Sequence, residues 1–176
     1  SVETGVGLGN INYVFNGLKD AGHLVKLNNT AYKLINKKGL IEKWSNAYED
    51  RLKPSIFIGS FSFFSSLDFN NWKRLKINTK HTVWGGEPAA ELITNFLNPS
   101  ELLIYTSESR SNLIKNYRLI PDLNGNIKVY KKFWNDDQYG KTSPPLLVYV
   151  DLMNSAKPRN IEVANKILNN DLQDLL

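Results

Sequence analysis

One segment of the chain predicts a strand, a tight turn and a helix in succession: Trp84-Gly85-Gly86-Glu87-Pro88-Ala89-Ala90-Glu91-Leu92-Ile93-Thr94-Asn95-Phe96-Leu97-Asn98-Pro99. The two glycines permit a tight turn with positive φ after the short apolar run that ends at Trp84. Pro88 suits the first turn of a helix, and Glu87 places negative charge at the positive end of its dipole. The apolar residues of that helix share one face: Ala89, Ala90, Ile93, Phe96 and Leu97. Many phosphate-binding sites begin in this way, although the segment alone favours an ordinary strand-to-helix connection.

The composition is that of a globular protein with one substantial core. Hydrophobic residues make up 41% of the 176 positions, and no apolar run approaches the roughly 20 residues of a membrane span. The chain has no cysteine and two distant histidines, which excludes disulfides and disfavours histidine-based zinc sites or charge-relay triads. We therefore expect a cytoplasmic protein without a cofactor or a metal. The net charge of +5 permits an anionic partner without requiring one.

The first periodic segment is an amphipathic helix over residues 10–21, which Gly22 ends. Its apolar residues recur at i, i+3, i+4 and i+7: Ile11, Val14, Phe15 and Leu18. Its outward face carries five polar side chains: Asn10, Asn12, Tyr13, Asn16 and Lys19. Asparagine can pair with adenine and lysine can neutralise phosphate, so this face is a candidate for DNA recognition.

A β-hairpin is predicted directly after this helix, because residues 23–27 and 31–35 alternate around an asparagine turn. A recognition helix followed by a hairpin is the second half of a winged helix-turn-helix, in which Lys26 and Lys33 of the wing contact the DNA backbone. A solvated amphipathic helix with a hairpin explains the same pattern equally well. The chain starts at Ser1 without the earlier helices of such a module, so we expect a fragment or trimmed chain with weakened DNA affinity.

As a whole, the sequence predicts an α+β protein in which a partial winged helix-turn-helix, recognition helix plus wing, precedes a mixed α+β domain. The partial winged-helix module is placed at residues 1–37, a connecting helix at 38–54 and the α+β domain at 55–176. Residues 39–52 carry apolar side chains at helical spacing, and Pro54 is expected to end that helix.

Within the α+β domain, alternating residues predict strands near 56–61, 102–106 and 127–130, with a helix over 87–97 packed on their sheet. Residues 65–71 are predicted to be a polar connection. Asn124-Gly125 is a strong hairpin signal between a strand at 118–120 and the strand that begins at Ile127. Two helices, one from Pro145 and one from Arg159, are predicted towards the end of the sequence.

Three charged residues in these last helices admit two interpretations. Asp151 lies inside an apolar helix, and Arg159 and Glu162 are spaced i, i+3. One interpretation is a polar cluster that docks the terminal helices against the Gly85-Gly86 turn; the other is a surface that binds a toxin or a ligand. Charges inside apolar segments are usually paired for packing, which favours the first.

An ordered set of motifs runs along nearly the whole chain: Trp84-Gly85-Gly86-Glu87, Ala89-Ala90, Asn98-Pro99, Leu103-Ile104-Tyr105, Phe133-Trp134, Pro145-Leu146-Leu147-Val148-Tyr149-Val150-Asp151-Leu152 and Arg159-Asn160-Ile161-Glu162-Val163-Ala164. With these motifs the chain resembles the AbiE-type antitoxins, the abortive-infection regulators of type IV toxin-antitoxin systems. The resemblance implies an amino-terminal winged helix joined to an α+β domain, repression of the protein's own operon and action against a nucleotidyltransferase-like toxin. It also implies that operator DNA is a partner. Operators are often palindromic and read by dimers, so a homodimer is one alternative for an oligomeric state that the sequence leaves open.

A second resemblance concerns catalysis. A helix after Gly-Gly followed by a short strand is similar to the opening of nucleotidyltransferase folds, where paired acidic residues on the strand hold magnesium. The corresponding strand here, Glu101-Leu102-Leu103-Ile104-Tyr105-Thr106, has no such pair, and two-metal chemistry needs one. Asp136 and Asp137 are adjacent, so their side chains diverge and indicate a solvated turn. The sequence therefore predicts a protein without metal-dependent catalysis.

Three functional hypotheses from different classes are compatible with these residues. The leading hypothesis is a DNA-binding regulator of the antitoxin kind. A nucleotide- or nucleic-acid-acting enzyme that cradles phosphate at Gly85-Gly86 is the second, but no acidic pair, nucleophile-base arrangement or phosphate-loop lysine accompanies those glycines. The third is a pure protein-interaction module, which burial of the polar face of the first helix would favour.

Overall fold

The computed structural model describes residues 8–135 and 138–173, and the first of these residues form a helix and a hairpin. The elements are α1 (Leu8–Asp20), β1 (Leu24–Lys26) and β2 (Tyr32–Leu34). Gly22 follows α1 with a φ of 72°, a conformation that favours glycine, and the two strands pair antiparallel. Asn28 closes the hairpin turn by accepting the backbone N–H groups of Thr30 and Ala31. The predicted helix and hairpin are confirmed; the winged helix-turn-helix as a whole is not established by them.

A helical segment joins the hairpin to the rest of the chain. It consists of α2 (Lys37–Ala47), a π-helical turn (Tyr48–Leu52) and α3 (Lys53–Ser55). The prediction that this helix stops before Pro54 is wrong, because Pro54 lies inside α3. Proline is tolerated there since it occupies the first turn of α3, after the π-helical turn in which the N–H of Lys53 donates to the carbonyl of Tyr48.

A five-stranded mixed sheet follows. Its strands are β3 (Phe57–Phe63), β4 (Thr82–Gly85), β5 (Leu102–Thr106), β6 (Leu119–Pro121) and β7 (Ile127–Lys131). Their order across the sheet is β4-β5-β7-β3-β6. Strands β5 and β7 are parallel, and the other neighbouring pairs are antiparallel. The three strands predicted from alternation therefore belong to one sheet, as expected.

The Asn124-Gly125 turn does not form a hairpin between β6 and β7, so that prediction is wrong. Strand β3 lies between the two strands and pairs with both. The N–H of Gly125 does donate to the carbonyl of Asp122 at 3.0 Å, but the resulting turn carries the chain across β3. A Cβ at Gly125 would overlap the backbone carbonyl of Phe61 on β3, so close backbone approach, and not hairpin pairing, requires the glycine.

The helices after the connecting segment are α4 (Ser66–Asn70), a 3-10 turn (Trp72–Arg74), α5 (Gly86–Thr94), α6 (Arg110–Tyr117), α7 (Pro145–Asn154) and α8 (Pro158–Asp171). Residues predicted as a polar connection thus form the short helix α4. Helix α5 ends earlier than predicted because Asn95 is left-handed, with a φ of 53°. Phe96 consequently lies beyond the helix and is 55% exposed, so its assignment to the apolar face was wrong. Among the described helices, none has the length and apolarity of a membrane span.

Alternate residues of β5 belong to two apolar clusters. Leu102 and Ile104 pack in a cluster that includes residues of α5 and α8, whereas Leu103 and Tyr105 pack with Tyr48 of the π-helical turn. Because successive side chains of a strand point to opposite faces, the clusters lie on the two sides of the sheet. Helix α7 contributes to both clusters, and it therefore joins the two layers at the Gly85-Gly86 end of β4.

Candidate nucleic-acid interface and a buried glutamate

The candidate DNA-reading side chains lie on an exposed surface of α1. Asn12, Asn16 and Lys19 are four and three residues apart, so they share one face of the helix. Both amides are exposed, and the Lys19 ammonium lies 4.9 Å from the centroid of the Tyr32 ring, which holds this cation beside the hairpin. Asn10 and Tyr13 are also exposed, Tyr13 by 81%. The predicted polar face is therefore accessible to a partner.

The two hairpin lysines lie on opposite faces of the hairpin. Lys26 is paired with Tyr32, whereas Lys33 is paired with Val25. Directly opposite residues share a face of a strand pair, and successive residues do not. The Tyr32 ring packs edge to face on Phe15 of α1, with 5.2 Å between centroids. Lys26 is therefore on the side of the hairpin that packs on α1, and Lys33 is on the other side.

The Gly85-Gly86 turn is determined by close packing. Gly85 is extended, and a Cβ there would overlap the side chains of Tyr105 and Leu103. Gly86 has a φ of 46°, which favours glycine and starts α5 at the end of β4. Trp84, directly before the turn, is buried and packs edge to face on Trp72, with 5.0 Å between centroids. Steric need therefore explains both glycines without a bound phosphate.

Glu87, the residue after the turn, is buried at the centre of a polar cluster, here named the Glu87 cluster, which comprises Glu87, Ser100, Lys157 and Asn160. Its carboxylate accepts hydrogen bonds from the N–H and hydroxyl of Ser100, from the Lys157 ammonium at 2.8 Å and from the Asn160 amide at 2.9 Å. Burial opposes ionisation, but the bonds from Asn160, Lys157 and Ser100 outweigh it and lower the pKa of Glu87 to about 2. The cluster ties α5 to the loop before β5 and to α8.

Only part of this arrangement was predicted. Arg159 does approach Glu87, at 3.8 Å, which agrees with docking of the terminal helices at the glycine turn. Glu162 pairs with Lys166 one turn further along α8, at 3.7 Å. Sequence reasoning missed Ser100, Lys157 and Asn160. The only sequence signals close to these residues are the Asn98-Pro99 motif, which directly precedes Ser100, and the Arg159-Asn160 motif, which contains Asn160.

Asp151 forms a second buried network, and it lines a small chamber together with Glu87 and Asn160. Its carboxylate accepts the Tyr105 hydroxyl at 2.8 Å and the Tyr48 hydroxyl at 3.0 Å, and it lies 3.3 Å from the Lys53 ammonium. Burial raises the pKa values of Asp151 and Tyr105 above their ordinary values, and the Asp151 charge adds to the effect on the tyrosine. The network links α7 and β5 to the π-helical turn, so Asp151 has the packing role that its apolar helix suggested.

The described part of the chain contains no group of side chains that could bind a metal ion. Within residues 8–135 and 138–173, no three His, Cys, Asp or Glu side chains are grouped as metal ligands would be. Asp136 and Asp137, predicted as turn residues, lie outside the described residues.

Comparison with known proteins identifies the chain through one family model. The model described as "Transcriptional regulator, AbiEi antitoxin, Type IV TA system" matches residues 33–173, which is most of the chain and includes both buried polar networks. The match begins inside β2, so α1 and β1 precede it. No curated protein and no solved structure matches the chain significantly. The chain belongs to the AbiEi antitoxin family, the transcriptional regulators of type IV toxin-antitoxin systems.

Proposed function

We propose that this protein regulates its own operon by binding operator DNA through α1 and the hairpin. The observation that carries the proposal is the exposed face of α1, where Asn12 and Asn16 lie one turn apart beside Lys19. Amides at this spacing suit adenine edges in the major groove, which admits a helix. Lys26, on the α1 side of the hairpin, would contact the DNA backbone as part of a wing, while Lys33 would reach a flanking phosphate from the other side.

The family also implies a toxin that the regulator counters, and we propose that this toxin is nucleotidyltransferase-like. Repression of a shared operon would suffice for that role. If the proteins touch, α8 offers charged side chains for the contact, since Arg159 is 50% and Glu162 61% exposed. We further propose that the protein itself is not an enzyme: close packing explains Gly85, a positive φ explains Gly86, and the pKa of Glu87 is low because that carboxylate is hydrogen-bonded within the protein.

The DNA proposal is tested by fluorescence anisotropy titrations with the DNA upstream of the gene and with scrambled DNA. Asn12→Ala and Asn16→Ala should each weaken specific binding by about 1 to 3 kcal/mol and leave non-specific binding nearly unchanged, because base-edge contacts carry sequence information. Asn165→Ala is the matched control, since Asn165 is an exposed amide on α8.

Lysine variants report on the other type of contact. Lys26→Ala should weaken binding to all sequences and lower the salt slope by about one unit, because a phosphate contact releases a counterion without reading a base. If a variant carrying Asn12→Ala, Asn16→Ala and Lys33→Ala together bound the operator like the wild type, the α1 surface would be excluded. The protein-interaction module would then be the leading hypothesis. Val14 of α1, an apolar side chain that is 52% exposed, would support it as a contact for a protein partner.

A further inference from the structure

A cleft of about 490 Å³ opens on the side of the sheet that carries the Asp151 network. Its lining includes Lys53, Phe57, Glu101, Lys128 and Tyr130. A smaller chamber of about 120 Å³ adjoins it through Glu49, Lys53 and Glu101, which line both spaces. The π-helical turn and the start of α3 supply Glu49 and Lys53, and such turns are frequent at functional sites. None of the proposed DNA contacts lines this cleft.

The cleft contains a carboxylate that the protein itself does not satisfy. In the described part of the chain, the Glu101 side chain has neither a hydrogen-bond donor nor an ion-pair partner within 4.0 Å. Burial raises its pKa, although the ammonium groups of Lys128, Lys157 and Lys53 act in the opposite direction. Asn160, which lines the inner chamber, is fully buried, and its Oδ1 likewise has no hydrogen-bond partner among the described residues. The half-buried Glu101 carboxylate lines the cleft and can accept hydrogen bonds from donor groups of a ligand there.

Strands β3 and β7 supply the aromatic and cationic part of the cleft lining. Phe57 and Tyr130 are directly paired across β3 and β7, with ring centroids 5.2 Å apart, and Phe57 is 45% exposed. Lys128, two residues before Tyr130 on β7, donates a hydrogen bond to the hydroxyl of Ser60 at 3.0 Å, and its charge also acts on the Glu101 carboxylate. A planar ring can stack on this part of the lining, and an anionic group can pair with Lys128.

We propose that this cleft binds a nucleoside 5′-phosphate. Ribose hydroxyls would donate to the Glu101 carboxylate, which is how acidic residues hold ribose in dinucleotide-binding folds. The base would lie against Phe57 and Tyr130, and the phosphate would pair with Lys128. The volume of about 490 Å³ falls in the range of small-molecule sites. A bound nucleotide would contact α3 and the adjoining π-helical turn, and so the segment that leads to the hairpin.

Isothermal titration calorimetry of the 176-residue chain with AMP, GMP, CMP and UMP tests the assignment. At least one nucleotide should bind more tightly than its free nucleoside and than inorganic phosphate. Glu101→Gln should weaken that nucleotide about tenfold, because a charged hydrogen bond is lost. Lys128→Met should weaken the nucleotide about tenfold and leave the nucleoside unchanged. Phe57→Ala should weaken both by at least about fivefold, because base stacking is lost.

Two variants outside the cleft serve as matched controls. Glu42→Gln removes an exposed carboxylate on α2, and Lys131→Met removes an exposed ammonium next to Tyr130, so both should bind like the wild type. Circular dichroism melting of every variant separates lost binding from lost folding. The proposal is overturned if none of the four nucleotides binds, if inorganic phosphate binds as tightly as the nucleotides, or if all three cleft variants retain wild-type affinity. None of these outcomes bears on operator binding by α1.

Discussion

Glu87→Gln is the substitution that most directly tests the buried polar centre. Glutamine keeps the shape of the side chain but removes the negative charge that Lys157, Asn160 and Ser100 surround. Breaking a buried charged arrangement by neutralising one partner leaves the others unsatisfied. Because Lys157 is 48% exposed and can return to water, the loss lies at the lower end of the usual range. We expect the free energy of unfolding at neutral pH to fall by about 3 kcal/mol.

The lowered pKa of Glu87, which arises from the same contacts, corresponds to the same magnitude. One pKa unit corresponds to about 1.4 kcal/mol, so a decrease from the ordinary 4.5 to about 2 stabilises the folded state by about 3 kcal/mol once the carboxylate is ionised. For a lowered pKa, this contribution is complete above the unfolded-state value of 4.5 and is lost as the pH falls towards 2. Glutamine does not titrate, so the variant lacks this component of acid destabilisation.

Urea titrations of both proteins across this pH range measure the difference. The gap in unfolding free energy between wild type and Glu87→Gln should close by about 3 kcal/mol as the pH falls through the window from 4.5 to about 2. Glu91 and Glu108 also have lowered pKa values, but they titrate in both proteins and cancel in the difference. Glu42→Gln, at an exposed carboxylate on α2, is the matched control variant. A constant gap over the whole range would refute the account of the Glu87 cluster.

Three further substitutions test single contacts. Gly125→Ala should lower the free energy of unfolding by about 1 to 3 kcal/mol in urea titrations, since the new Cβ overlaps the Phe61 carbonyl; Gly17→Ala, at a glycine with open space around it, should not. Tyr105→Phe should lower it by about 1 to 3 kcal/mol, because Asp151 loses a buried donor, and an unchanged melting temperature would contradict the network. Gly86→Ala should cost about 1 kcal/mol or more because of its positive φ, and equal stability to wild type would disprove the strain.

The family match and the proposed DNA contacts fall in two different parts of the chain. The family match covers the sheet and its helices from residue 33 onward, whereas the proposed DNA contacts concentrate in α1, before the match begins. The connecting helix links the two, and the Asp151 network fixes its π-helical turn to β5 and α7. A ligand in the cleft beside this turn would therefore act on the segment that leads to the hairpin.

Local periodicity was enough to predict most of the helices and strands. The i, i+3, i+4 pattern before Gly22 identified α1, and the glycine pair before Pro88 identified the end of β4 and the start of α5. These features depend on the conformational preferences of a few adjacent residues, and those preferences can be read directly from the residue types. The motif residues around Glu87 and Asp151 could likewise be recognised as important from the sequence, but their partners could not.

Tertiary structure alone decided the order of the strands and the composition of the buried networks. Asn124-Gly125 has the local chemistry of a hairpin, yet β3 inserts between β6 and β7, because sheet order depends on which strands bury their faces together. The Glu87 cluster joins residues that are 13, 70 and 73 positions apart. No periodicity within one element encodes such contacts, since they arise only when α5, β5 and α8 pack around one core. Local sequence is therefore sufficient to predict the elements and the residues that need partners, whereas packing determines which partners those residues contact.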